Sequence, residues 1–236
     1  MLLTGLALAA LAGAAIPFGA WLGTFRRLGP DPTAVALTHG IMAFGAGALL
    51  SAVALVLVPE GADRVQPAVA PVIFLAGGAM FALVDRALAR RGGHVAQFLA
   101  MMLDYLPEAL ALGAMLAGEM NTAVLLALLI AMQNLPEGFN AFREMQGSSG
   151  WSDRRILILF GAMVPLGPLM AFIGLTMIDT DSVLLGGVML FSAGGILYLL
   201  FEDVAPQVPL DNVWAPPFGA IAGFALGLAG HLATIG

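Results

Sequence analysis

The sequence contains no cysteine and no lysine. The absence of cysteine excludes disulfide bonds, thiolate catalysis and any zinc site built on cysteine, so carboxylates, amides and three histidines are left as metal ligands. All nine positive residues are arginines, and fifteen acids bring the formal net charge to −6. A basic face for nucleic acid is therefore excluded, and we expect no DNA or RNA partner.

Charge of either sign is scarce: charged residues make up 10% of the 236 residues and hydrophobic residues 60%. A soluble domain is about one quarter charged and about half apolar. Eight apolar segments have the length of about 20 residues that a helix needs to cross a bilayer. We therefore expect an all-α membrane protein with eight transmembrane helices in one transmembrane domain, residues 1–236. The predicted spans are about 4–25, 35–58, 71–90, 96–117, 122–143, 155–177, 183–203 and 216–235.

The first apolar segment has a signal peptide as its alternative, because Ala12-Gly-Ala14 resembles a cleavage site. No positive residue precedes this segment, whereas Arg26 and Arg27 follow it, which is the reverse of a signal peptide. We expect the segment to remain as the first transmembrane helix.

The arginines predict the orientation of the chain. Eight of the nine fall in or beside the loops after helices 1, 3 and 5, which share one side of the membrane, and only Arg64 falls on the other side. Arginine-rich loops are typical of the cytoplasmic side. We predict a multi-pass protein of the cell (inner) membrane with both termini on the extracytoplasmic side.

Helices 2 and 7 share a pattern at an offset of 147 residues. Phe44-Gly-Ala-Gly47 is followed by Pro59, and Phe191-Ser-Ala-Gly194 is followed by Pro206. In the predicted topology the two helices run in opposite directions, so the pattern indicates an inverted repeat of the kind that transporters use for alternating access. Packing of small residues between helices is the alternative explanation.

A second repeat joins helices 4 and 5. The pentapeptides Asp104-Tyr-Leu-Pro107-Glu108 and Gln133-Asn134-Leu-Pro136-Glu137 align at an offset of 29 residues. Both lie near the middle of a predicted span, and the two helices are antiparallel and joined by a short loop. We expect the two polar turns to meet at the same depth in the membrane.

Three acids occupy these turns, namely Asp104, Glu108 and Glu137. A carboxylate at the centre of a bilayer is costly and is a functional-site hypothesis by default. The four-residue spacing places Asp104 with Glu108, and Gln133 with Glu137, on one face of each helix. Because Arg143 at the very end of the fifth span is the one arginine in these two spans and none lies near the polar turns, protons or a divalent cation must neutralise the acids. Exchange between the two would couple metal binding to proton release.

The prolines of the two turns have a predicted role of their own. Pro107 and Pro136 lack an N–H, which frees the carbonyls of Leu103 and Met132 and kinks each helix where a cation would bind. Exposed backbone at this depth is tolerated only where it lines a cavity. The alternative is that the polar residues hold helices together by hydrogen bonds.

Two further acids, Glu202 and Asp203, lie at the predicted cytoplasmic end of helix 7. They are a candidate cytoplasmic exit for the ion. A solvated helix end explains them equally well.

These motifs resemble the ZIP (zinc/iron-permease) family. Asn134-Leu-Pro-Glu-Gly138 is similar to the family's helix 5 motif and Leu106-Pro-Glu-Ala-Leu-Ala-Leu-Gly113 to that of helix 4. Pro165-Leu-Gly167 and the stretch from Ala193 to Pro206 resemble its helices 6 and 7. The resemblance implies transport of zinc, iron or manganese into the cytoplasm, with the metal as substrate and no prosthetic group. It also implies elevator-like motion with helices 4 and 5 in the moving bundle, and a homodimer within the membrane lipid.

By position, the resemblance implies a main metal site with Asn134 in a neighbouring one; the main-site residues are Asp104, Glu108, Gln133 and Glu137. Asp104 and Gln133 replace histidines of the family, and Tyr105 replaces an Asn or Asp. Val164 stands where many members carry a Glu. These departures argue against a full two-metal site. The loss of imidazole favours oxygen ligation, which suits Mn, Mg or Ca better than zinc, although zinc also binds carboxylates.

Two rival functions follow from the same residues. Intramembrane acids are also typical of membrane aspartyl proteases, but that chemistry needs two aspartates, and Asp104 is the one aspartate near the middle of a predicted span. We therefore expect no enzyme and no catalytic residues. The other rival is a degenerate ZIP-like protein that serves as a metal sensor or scaffold without transport.

Overall fold

The computed structural model describes residues 2–25, 32–91, 95–118, 120–204 and 214–235, and all regular secondary structure in these ranges is helical. Within them the chain forms eight consecutive long helices. They are α1 (Leu2–Gly23), α2 (Pro32–Ala52, continued by Val53–Leu57 and Val58–Asp63), α3 (Ala70–Arg91), α4 (Val95–Met115), α5 (Met120–Ser149), α6 (Asp153–Gly161 and Leu166–Met177), α7 (Val183–Leu199, continued by Leu200–Val204) and α8 (Ala215–Ile235).

Length and hydropathy agree with membrane insertion. Seven stretches in the described part of the chain are long and apolar enough to cross a bilayer, and α4, with 21 residues, is the remaining long helix. The prediction of an all-helical, multi-pass membrane protein is confirmed.

Three helices differ from the predicted spans, and α2 is the simplest case because it continues five residues beyond the predicted end at 58, to Asp63. Instead of one helix over 155–177, α6 consists of two parts separated by a turn at 162–165. Pro165 and Pro168 lack the N–H groups that would carry the helical hydrogen bonds through this turn. In contrast, α5 continues six residues beyond the predicted end at 143 and stops before Gly150, whose positive φ of 65° suits a residue without a Cβ.

Each of α2 and α7 contains a π-helical turn, at Val53–Leu57 and Leu200–Val204. The two turns are 147 residues apart, the same offset as the sequence pattern. Pro59 and Pro206 each lie two residues beyond a π turn, although Pro206 itself falls outside the described residues. A proline ring clashes with the carbonyl four residues earlier, and that carbonyl falls inside the π turn in both cases.

The helices pack as two bundles. In bundle 1, α1 packs along α5 and α4 packs along the second part of α6; in bundle 2, α2 packs along α8 and α3 packs along α7. Glycines let the backbones touch in both bundles: Gly138 lies against the carbonyl of Ile16, and Gly223 against that of Phe44. Because the hydrophobic effect does not drive helices together within lipid, such close backbone packing supplies much of the attraction between them.

Candidate functional site

The buried polar side chains of the described residues concentrate in bundle 1. Asp104 and Glu108 of α4 are 5% and 0% exposed, and Gln133 and Asn134 of α5 are 0% and 1% exposed. The other two buried polar residues among those described, Ser51 and Ser192, donate to carbonyls of their own helices. The polar turns of α4 and α5 therefore form the one buried polar cluster that joins different helices in the described part of the chain.

The two polar turns meet through a side-chain hydrogen bond. Nε2 of Gln133 donates to Oε2 of Glu108 over 2.6 Å. Asp104 lies one turn earlier on α4, and both Asp104 and Glu137 are close enough to interact electrostatically with Glu108. The predicted meeting of the two turns is therefore seen as a direct contact, and their common depth in a membrane stays a prediction.

Three oxygens in this cluster have no donor. Among the described residues, no hydrogen-bond partner reaches Oδ1 of Asp104, Oε1 of Glu108 or Oε1 of Gln133, and each of these atoms is buried. A buried acceptor without a partner costs free energy, and native proteins pair nearly all such atoms. The free oxygens of the cluster can therefore bind a positive charge, either a cation or protons.

The oxygen set differs in one respect from the predicted one. In the part of the chain that the structure describes, no group of three or more His, Asp or Glu side chains is arranged to hold a metal ion. Glu137 is only half-buried and has other interactions. The third buried oxygen beside the two carboxylates comes instead from the amide of Gln133, which gives an all-oxygen set.

Asn134 and Tyr105 connect the polar turns to α1. Nδ2 of Asn134 donates to the carbonyl of Ala12 over 3.0 Å, and the Tyr105 hydroxyl donates to the carbonyl of Ala9 over 3.4 Å. The amide hydrogen of Asn134 is thus used to hold helices together, which is the alternative role considered for it. Sequence reasoning missed both partners because a backbone carbonyl leaves no signal in the sequence.

The Tyr105 hydroxyl also fills a gap between helices. It lies against Gly13 of α1 and Gly167 of α6, where a methyl group on either glycine would overlap with it. The ring is 1% exposed. Tyr105 therefore occupies space that a smaller polar residue would leave open beside the acids.

Both site prolines lie inside helices that continue through them. The ring of Pro136 is buried and lies against Gly45 of α2, so it forms part of the contact between the bundles. The predicted exposure of the Leu103 and Met132 carbonyls to an ion stays a prediction.

The candidate exit lies apart from this cluster. Glu202 is exposed at the end of α7, beside Tyr198 in a groove between α3 and α7. The side chain of Asp203 lies outside the described residues.

At the other end of bundle 2, Arg64 connects the end of α2 to the loop between α6 and α7, whereas the sequence indicated only a topology signal. Its guanidinium pairs with the Glu60 carboxylate at 2.7 Å and donates to the Thr180 carbonyl at 2.7 Å. The Thr180 hydroxyl in turn donates to the carbonyl of Ala114 over 3.1 Å. The end of α2 is thereby tied to the loop between α6 and α7 and to the end of α4.

The fold and site together define a class: a multi-pass helical membrane protein with a buried, oxygen-only acidic cluster between two of its helices. No protein-family model matches the chain, and no curated protein matches it. The resemblance to the ZIP family therefore rests on the short motifs of helices 4 to 7 and stays a prediction.

Proposed function

We propose that this chain transports a divalent metal ion across the cell membrane into the cytoplasm, with Asp104, Glu108 and Gln133 as its central ligands. The observation that carries the proposal is the set of three buried oxygens without donors, one on each of these side chains. Two carboxylates and an amide oxygen match the ligands that hard divalent cations prefer.

Charge balance supports a dication. Two ionised carboxylates at this depth carry two negative charges, and neither α4 nor the buried part of α5 contains an arginine; Arg143 of α5 is exposed. A dication cancels both charges at once, and two protons do so in its absence. Entry of the metal therefore releases protons from the cluster, and its departure takes them back.

The metal class follows from the resemblance and the ligand set together. The ZIP-like motifs propose zinc, iron or manganese, and the absence of imidazole and thiolate at the cluster favours manganese within that class. The metal is the substrate of the protein, which needs no prosthetic group and performs no enzymatic reaction.

The arrangement of the helices supports alternating access. Suppose that helices 1–3 correspond to helices 6–8 and helix 4 to helix 5. The contact of α1 with α5 then corresponds to the contact of α6 with α4. In the same way, the contact of α2 with α8 corresponds to the contact of α7 with α3. Both members of each pair occur. The π turns at the 147-residue offset agree with the same correspondence. Bundle 1 would then carry the metal past bundle 2.

The outlying residues take lesser roles in this proposal. Glu137 and Asn134 flank the central ligands, Glu137 as an entry or exit carboxylate and Asn134 as the anchor of α5 on α1. Glu202 and Asp203 would receive the metal at the cytoplasmic end of α7. Both termini would lie outside, and a homodimer in the lipid bilayer is the assembly that the resemblance implies.

Metal uptake into proteoliposomes tests the proposal. We expect Glu108→Ala and Glu137→Ala to lower uptake of Mn²⁺ and Zn²⁺, with the larger loss at Glu108 because its oxygen is buried without a donor. Glu144→Ala is the matched control, since it removes an exposed acid from α5, the helix that carries Glu137. Equal uptake by the wild type and all three variants would remove the proposal.

A metal sensor or scaffold without transport is the second candidate. It is favoured by the absence of a third carboxylate or histidine from the cluster in the described residues. The two functions differ in stoichiometry, because a sensor binds its metal once whereas a transporter turns over. Uptake of more than one ion per protein molecule excludes the sensor.

A further inference from the structure

A groove of about 670 Å³ runs between α3 and α7 on the surface of bundle 2. Phe74, Leu75, Leu197 and Phe201 contribute to its apolar walls. Gly78 and Gly194 lie where the two helices approach each other and leave the floor of the groove without side chains. Only 11% of the spanning part of α3 is buried, so the groove opens toward lipid.

The groove extends along most of one leaflet of a bilayer. From Gly194 to Glu202, the residues of α7 that line the groove advance by eight positions, which is about 12 Å at the rise of an α-helix. Half of the hydrocarbon core of a bilayer is about 15 Å thick. An acyl chain therefore has room to lie along the groove, with its headgroup end at Glu202 and at Tyr198, whose hydroxyl bonds to Asp85.

The headgroup end of the groove carries charges of both signs. The Tyr198 hydroxyl donates to Oδ2 of Asp85 over 3.2 Å, and Glu202 lines the groove beside it. Arg86, Asp85 and Glu202 all lie close enough to interact electrostatically with the Tyr198 hydroxyl. Tyrosine is typical of the membrane–water interface, where its ring is in lipid and its hydroxyl is wet.

We propose that this groove binds a phospholipid with a primary ammonium headgroup, of the phosphatidylethanolamine type. Its acyl chain lies along Gly78 and Gly194, its ammonium group donates to the carboxylates of Asp85 and Glu202, and its phosphate pairs with Arg86. Two acids against one arginine disfavour an anionic headgroup that has no ammonium. A quaternary ammonium has no hydrogen to donate, which disfavours phosphatidylcholine.

Native mass spectrometry of the delipidated full-length protein tests the proposal. Phosphatidylethanolamine and phosphatidylglycerol with identical acyl chains are added separately. We expect one retained phosphatidylethanolamine per protein and a preference over phosphatidylglycerol on the order of tenfold, the value of one charge-assisted hydrogen bond. Equal retention of the two lipids by the wild type would overturn the proposal.

Two tryptophan variants locate the lipid. Ala79 is exposed and lines the groove, whereas Ala76 is exposed on the same helix but does not line it. Ala79→Trp should abolish retention and Ala76→Trp should preserve it, and neither should change the thermal unfolding of the lipid-free protein. Equal retention by the two variants places the lipid elsewhere and overturns the proposal.

The charged end is tested separately with Asp85→Asn and Glu202→Gln, which keep the side-chain shapes and remove the charges. Each should reduce the preference for phosphatidylethanolamine, whereas Asp181→Asn, which removes an exposed acid before the opposite end of α7, should leave it unchanged. An unchanged preference in both groove variants would contradict the headgroup assignment. A dimer that retains no lipid would show that a second copy of the chain covers the groove instead. None of these measurements depends on metal transport.

Discussion

The proline turns of α4 and α5 have the same spacing of polar residues but different surroundings. At the second position of each turn, Tyr105 and Asn134 both donate to backbone carbonyls of α1. At the last position the turns differ: Glu108 is completely buried and bonded to Gln133, whereas Glu137 is half-buried. The spacing fixes which face a side chain occupies, and the neighbouring helices decide whether water reaches it.

The largest expected difference between the turns concerns metal affinity. Glu108→Gln removes the charge of a proposed ligand, so we expect affinity for Mn²⁺ to fall by at least the roughly 10–100-fold that is typical of losing a group that only supports a ligand. Glu137→Gln removes a half-buried charge, so we expect affinity for Mn²⁺ to fall only about fivefold. Isothermal titration of the purified protein measures both. Equal losses would show that the two turns contribute equally and that burial does not separate them.

This difference marks how far the sequence could predict the site. The lack of a positive residue near the polar turns, the helical spacing and the 29-residue repeat predict that the turn of Glu108 meets the turn of Gln133. The two side chains are hydrogen-bonded. The burial of Glu108 relative to Glu137 depends on which neighbours pack over each turn, and no local pattern encodes that. The Tyr105 hydroxyl between Gly13 and Gly167 depends in the same way on three helices that are distant in sequence.

The fold was more accessible to prediction because lipid restricts the backbone to helices of known length. The eight predicted spans correspond to the eight helices of the described residues. The prolines were harder to interpret: α6 breaks before Pro165, whereas α5 continues through Pro136. A proline removes one hydrogen bond in either case, and the packing around it decides whether the helix tolerates the loss.

The residue that follows the glutamate also differs between the two turns. Gly138 lies against the carbonyl of Ile16, so a methyl group there must push α1 and α5 apart, whereas the equivalent position on α4 is already Ala109. We expect Gly138→Ala to lower the free energy of unfolding by about 1–3 kcal/mol through overpacking. Ala109→Gly should cost about 1 kcal/mol through helix propensity.

Unfolding in a detergent titration measures these changes. Gly147→Ala on the same helix is the control, because a Cβ at Gly147 meets nothing within 4 Å. A loss at Gly138→Ala no greater than at Gly147→Ala would contradict the close packing of α1 on α5.

The smallest expected difference concerns the two hydrogen bonds to α1. Asn134→Leu and Tyr105→Phe each remove one hydrogen bond and nearly preserve the volume of the side chain. Interhelical hydrogen bonds in membranes are worth about 0.6 kcal/mol on average and at most about 1.7 kcal/mol. The hydrogen bond from Asn134 is 3.0 Å long and that from Tyr105 is 3.4 Å long, so the bond from Tyr105 has the poorer geometry. We therefore expect Asn134→Leu to destabilise the protein more than Tyr105→Phe in the same detergent titration. The reverse order would mean that the Tyr105 hydroxyl, held between two glycines, and not the amide of Asn134, is the main attachment of the polar turns to α1.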